Sequence, residues 1–208
     1  PSHSIHLKPL AEDALSLPVR TGKARVIGIE PASLVTKSLV REVKTDDAGC
    51  FQSALNPGLT KIAVIERHKR TGKLGIGILE GYGLTGGAIA TTISHDSHNI
   101  VVAGDNDPDM LLAVRELADM GGGIVSVHGG AIRRLPLPIA GLMTSADPQE
   151  VNAVLHDMLV AARAELGIPE DVEPFMTLSF MALPVIPELK LTARGLFNVN
   201  TFSFVGVE

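Results

Sequence analysis

A single cysteine, Cys50, stands in 208 residues. It cannot form an internal disulfide, and no leader of charged, apolar and small residues opens the chain, so a reducing, cytoplasmic setting is expected. Long apolar runs are also missing. None without charge approaches the roughly 18 residues that cross a bilayer, which predicts a soluble chain with no membrane partner. Basic residues are few and scattered: 18 Lys and Arg stand against 23 Asp and Glu, for a formal net charge of −5, and no basic run exceeds Arg67-His68-Lys69-Arg70. That excludes the electrostatic footprint of a nucleic-acid binder, and the short run reads as a solvated strand end. There is no Gly-x-Ser-x-Gly elbow, and Cys50 has no histidine nearby in sequence, so covalent catalysis has no support.

What is present is apolar. Hydrophobic residues make up 45% of the chain and the mean hydropathy is +0.27. Without a membrane span, that excess predicts apolar surface covered by another domain or subunit, so a homo-oligomer is expected. The length allows one large domain, or one domain with a small appendage.

Residues 24–30 alternate with the two-residue period of a half-buried strand, and residues 38–43 read as a second strand. Turn-rich segments at 45–49 and 55–58 place a boundary near residue 55. The expected division is a leading β segment, 1–55, and a main body, 56–208. Two strands are marginal alone, so the leading pair is expected to complete a sheet whose other strands lie outside this chain.

From Thr60 the sequence is β-rich, with strand-length apolar runs at 62–65, 74–79, 88–93 and 99–103. Asp107-Pro108-Asp109 opens a helix through Met120, with Asp107 as N-cap and Gly121 past its end. Asp147-Pro148-Gln149-Glu150 opens a second helix to Leu166, where Glu150 can close a capping box. Apolar runs flank both helices, at 100–103 and 124–127 for the first and at 139–143 and 176–180 for the second. This reads as two strand-helix-strand units, with their Asp-Pro starts 40 residues apart as in a duplication, packed on one mixed sheet. The fold class is α/β, with α+β as the alternative. Residues 183–187 carry two prolines and form an edge or a buried extended loop, and residues 201–207 are a candidate closing strand.

Gly81-Tyr82-Gly83-Leu84-Thr85-Gly86 has the G-x-G-x-x-G spacing of a dinucleotide-binding turn. The β-branched run that follows favours a strand, so no helix N-terminus would face a phosphate and the match is set aside. Asp105, Asp107 and Asp109 are explained by capping rather than by a calcium loop.

The densest chemistry lies in Ser94-His95-Asp96-Ser97-His98-Asn99. Imidazoles and a carboxylate within four positions make His95, Asp96 and His98 the catalytic candidates. In a regular strand Asp96 and His98 share a face, which makes them the candidate metal ligands, and a third ligand would need a turn or bulge. The plainer reading is that these groups satisfy one another at a buried strand start. His128 ends a predicted buried strand and joins the cluster if the two strands are neighbours; otherwise it starts the Gly129-Gly130 turn. His3, His6, His68 and His156 read as packing or surface residues.

Gly86-Gly87-Ala88-Ile89-Ala90 before that hexapeptide, together with Leu183-Pro184-Val185-Ile186-Pro187-Glu188-Leu189-Lys190, resembles the C-terminal portion of the adenine deaminases of the amidohydrolase family. The resemblance runs from about Ala24 to the end. It is densest at 83–106, 121–127, 135–143 and 174–190. It implies an enzyme of purine salvage in which a metal-bound hydroxide, held in a β/α barrel, converts adenine to hypoxanthine and ammonia. The implied cofactor is a divalent manganese or iron ion, with zinc as the alternative, and the implied partners are a purine and an N-terminal barrel. The His-x-His pair of such barrels is absent here, and the chain is too short for eight strand-helix units. One cysteine also rules out the H-x-E, P-C-x-x-C zinc deaminases.

The catalytic metal ligands are therefore expected on a preceding barrel, with no cofactor certain in this chain. The chain is expected to pack against that barrel and bring His95, Asp96 and His98 near its mouth, with Ser94, Asn99 and His128 contacting substrate or closing the site. Two alternatives stay open: a non-catalytic assembly or binding domain, and an autonomous metal hydrolase built on His95, Asp96, His98 and His128.

Overall fold

The structure, a computed structural model, describes residues 4–208. Its eleven described strands are β1 (Lys23–Ile29), β2 (Thr36–Glu42), β3 (Leu59–Ile65), β4 (Leu74–Glu80), β5 (Gly87–Thr91), β6 (Ile100–Gly104), β7 (Gly123–His128), β8 (Ala131–Pro136), β9 (Leu189–Thr192), β10 (Gly195–Asn198) and β11 (Ser203–Phe204). The helices are α1 (Asp107–Asp119), α2 (Pro148–Ala164) and α3 (Pro174–Phe180). The first eight strands form one mixed sheet in the order β2-β1-β4-β3-β6-β5-β7-β8, and β11-β10-β9 form a second, small one. This is the expected α/β class.

Side chains alternate between the two faces of the large sheet. On β5, Ile89 packs with α2, α3 and the small sheet, while Ala88 and Ala90 pack under α1. The molecule is thus layered, with α1 on one face and α2, α3 and β9–β10 on the other. All five residues of β5 are buried, as a central strand covered on both sides requires. Among the described residues no helix is long and apolar enough to cross a membrane.

The leading strands find their partner inside this chain. β1 pairs with β4 in parallel, Ile27 opposite Leu79, and a third apolar cluster joins Val26 and Val43 to Phe51 and Ile78. The expectation that these strands need a sheet from elsewhere is corrected on that point.

One strand-helix-strand unit forms as expected: β6, α1 and β7, with β5 between the two strands and antiparallel to both. The second does not. Residues 139–143 make a single bridge, Ile139 to Met143, around Ala140 (φ 60) and Gly141 (φ 71), and residues 176–180 are helical. The overlooked signal was Glu173-Pro174: Glu173 caps the helix by accepting from the Met176 amide, and Pro174 occupies the first turn, where its missing N–H costs nothing. The α1 cap also shifts by one residue. Asn106 Oδ1 accepts from the Asp109 amide at 2.9 Å, which leaves Asp107 to pair with buried Lys61, Nζ to Oδ1 2.5 Å. The glycine-rich turn at 81–86 leads into β5, not into a helix. Of the closing segment, Ser203–Phe204 forms the strand.

Lys190, in the resembling C-terminal segment, is fully buried on β9 and donates to Leu34 O at 2.8 Å. Burial pushes its ammonium from the ordinary 10.5 down to about 8. Below about pH 8 the folded state therefore carries the whole cost of burying the charge. Between about 8 and 10.5 the unfolded chain binds the extra proton, so stability rises with pH. Urea unfolding of wild type and Lys190→Met is expected to diverge in favour of wild type as pH climbs through that window. Parallel profiles would contradict this.

Candidate active-site loop

β5 and β6 are antiparallel neighbours, and the loop between them, residues 92–99, carries the candidate hexapeptide. The loop is not a strand, so the face-sharing expected of Asp96 and His98 does not apply: residues 95–97 form a turn. Ser94 is fully buried, with an Oγ that has no partner among the described residues, while its carbonyl accepts from the His98 amide at 2.6 Å. The His95 amide donates to Ser179 O at 3.0 Å, which ties the loop to α3. Its ring lies on Phe180, with centroids 4.5 Å apart and planes at 32°. Asp96 and Ser97 are exposed.

His98 takes φ 47, a left-handed backbone uncommon outside glycine. Its Nδ1 is buried without a partner among the described residues. Burial holds the imidazole below its ordinary pKa, and the neighbouring His95 and Arg67 push in the same direction.

The segment between β3 and β4 grips this loop. Arg67 is only 1% exposed. Its Nε donates to His98 O, one terminal nitrogen donates to Ala140 O at 3.0 Å, and the other reaches Ser4 O and Ser4 Oγ at 3.2 Å each. Its amide points at Asn99 Oδ1, 3.4 Å away, and His68 Nε2 lies 2.8 Å from Ser97 O. Desolvation lowers the guanidinium pKa, and the buried charge is met by hydrogen bonds to three carbonyls and a hydroxyl. The reading of Arg67 and its neighbours as a solvated strand end is corrected for Arg67: three segments distant in sequence wall it in.

His128 does not join the cluster. It ends β7 opposite Gly87, where Nδ1 lies 2.8 Å from Gly86 O. The loop leaves β5 at the Thr91–Ile124 end, four residues or about 13 Å along the strand. His95 and His98 have ring centroids 6.0 Å apart, and among the described residues no three His, Cys, Asp or Glu side chains converge as metal ligands do. The donor set does not fit the divalent ion that the resemblance implies.

Beside the loop lies an open cavity of about 410 Å³ between β5, β7, α2 and α3, with His95, Phe180, Ile93, Leu155, Met176 and Glu173 among its walls. None of Phe180, Met176 and Glu173 was singled out by sequence; the Glu173-Pro174 cap was the available signal.

The sequence profile of the adenine deaminase C-terminal domain matches residues 33–203. The chain belongs to this family. The chain is 58% identical over 205 residues to an adenine deaminase of Nitratidesulfovibrio vulgaris, covering 98% of the chain and 35% of that protein. It is 47% identical to adenine deaminase 2 of Carboxydothermus hydrogenoformans (99% and 36%), and 44% identical to an adenine deaminase of Clostridium acetobutylicum (98% and 36%). The domain thus spans about a third of the length of the curated relatives it matches.

Proposed function

We propose that this chain is the C-terminal part of an adenine deaminase, a metal-dependent hydrolase that converts adenine to hypoxanthine and ammonia in purine salvage. The observation that carries this reading is the match of almost the whole chain to proteins named adenine deaminase, only about a third of whose length it covers. In this reading the manganese, iron or zinc ligands sit on a preceding amidohydrolase barrel. The protein works as a cytoplasmic homo-oligomer. The unsuitable donor set around His95 supports placing the metal elsewhere, and the separation of His128 counts against an autonomous hydrolase.

The role proposed for this chain is to hold the 92–99 loop at the barrel mouth. Arg67 fixes the loop backbone, α3 fixes His95, and the His95, Asp96 and His98 side chains face the substrate, with Ser94 and Asn99 shaping the closure. His98, held neutral by burial, can accept or donate a hydrogen bond without bringing a charge. In the longer protein, alanine at His95, Asp96 and His98 is expected to lower kcat/KM for adenine about a hundredfold, the low end for groups that move or stabilise a proton. Unchanged kinetics would remove the loop from the site. Absence of adenine turnover in the unsubstituted longer protein would overturn the deaminase reading itself.

A further inference from the structure

We propose that the cavity between β5, β7, α2 and α3 binds a purine base, stacked on the His95–Phe180 pair, with Glu173 accepting from the N–H groups of the base edge. The cavity, about 410 Å³, has the size and the largely apolar lining of a small-molecule site. Ile93, Ile124 and Leu155 supply aliphatic walls. Met176, half exposed at 52%, offers a polarisable thioether to an aromatic ring. His95 and Phe180 both line the cavity with their rings stacked at 32°, which leaves one aromatic face to offer a base, and the His95 amide bond to Ser179 O holds the pair in place.

The polar groups decide the occupant. Neither His95 ring nitrogen has a hydrogen bond among the described residues. Glu173 uses only Oε2 to cap α3, which leaves Oε1 free. An aliphatic side chain from another domain would bury both groups unpartnered, at a cost. A purine carries its N–H donors on the edge of a flat ring, so Glu173 can accept from an exocyclic amine or a ring N–H while the face of the base lies on the aromatic pair. The choice of a purine over other flat heterocycles rests on the deaminase reading, whereas the cavity and its polar rim do not.

The 208-residue chain titrated with adenine, followed by methyl NMR and calorimetry, tests this. Saturable shifts are expected at Ile93, Ile124 and Met176. Phe180→Ala is expected to weaken binding by about tenfold, the size of a lost base-aromatic stack. Glu173→Gln keeps an acceptor for the helix cap and is also expected to weaken binding, while His156→Ala, outside the cavity, binds as wild type. No saturable shift up to the solubility limit of adenine would overturn the inference, as would binding that both cavity variants leave unchanged. Turnover by the longer protein with unchanged KM in both variants overturns it too, and leaves the deaminase reading standing. Purine binding in the cavity of a longer protein that does not deaminate adenine supports it and removes the deaminase reading instead.

Discussion

Replacing Arg67 with methionine is expected to destabilise the chain by roughly 3 kcal/mol and to free the 92–99 loop. Two effects oppose each other. Methionine removes a buried cation, whose desolvation is costly, but it also strips donors from His98 O, Ala140 O and Ser4 O. A carbonyl left unpartnered away from water costs about 1–3 kcal/mol; the three here are part-buried and fall toward the low end each, and together they still outweigh the relief. The backbones released, His98 at φ 47 and Ala140 at φ 60, are ones that persist only when their surroundings hold them. Lysine is not expected to rescue the loop, because a single ammonium cannot reach three directions as the guanidinium does. Urea denaturation reads the stability, and NMR of the His95 and His98 rings reads the loop. A loss below about 1 kcal/mol with unaltered ring signals would show that the clamp is incidental.

Most of the sheet was legible because period-two alternation and β-branched runs are local properties. Strands β3 to β7 lie where their apolar runs stand, and the Asp-Pro starts mark α1 and α2 to within a residue. What escaped reading depends on tertiary partners. Met176-Thr177-Leu178-Ser179-Phe180 is short and apolar, so it reads equally as a buried strand, and only the Glu173-Pro174 cap separates the two readings. The 139–143 run looked like a strand because nothing local announces that Ala140 will take a positive φ against the Arg67 guanidinium. The candidate loop itself was legible by its density of polar groups, but its membership was not. His128 seemed a neighbour until the register put it at the far end of β5. Arg67 was hidden by company: within a basic run a charge reads as solvated, and its burial is set by residues 4, 98 and 140.

The largest effect expected concerns catalysis. In the proposed reading, deamination of adenine uses a hydroxide generated at a metal, and a metal site needs several ligands converging at fixed distances. Here Asp96 is exposed, the two loop imidazoles stand 6.0 Å apart, and His128 sits at the opposite end of the strand. In the proposed reading the loop and the apolar cavity orient a base, and with no ligand set among the described residues they are not expected to supply the nucleophile. The chain alone is therefore expected to bind without converting, while the longer protein converts. The decisive measurement is adenine-to-hypoxanthine turnover by ultraviolet absorbance. It would be made on the metal-stripped 208-residue chain reconstituted with manganese, iron(II) or zinc, beside the longer protein, with metal content determined on the same samples. The account predicts no turnover and no stoichiometric metal in the chain, against turnover and bound metal in the longer protein. Turnover by the pure chain, lost on alanine substitution at His95 or His98, would contradict it and move catalysis into the loop.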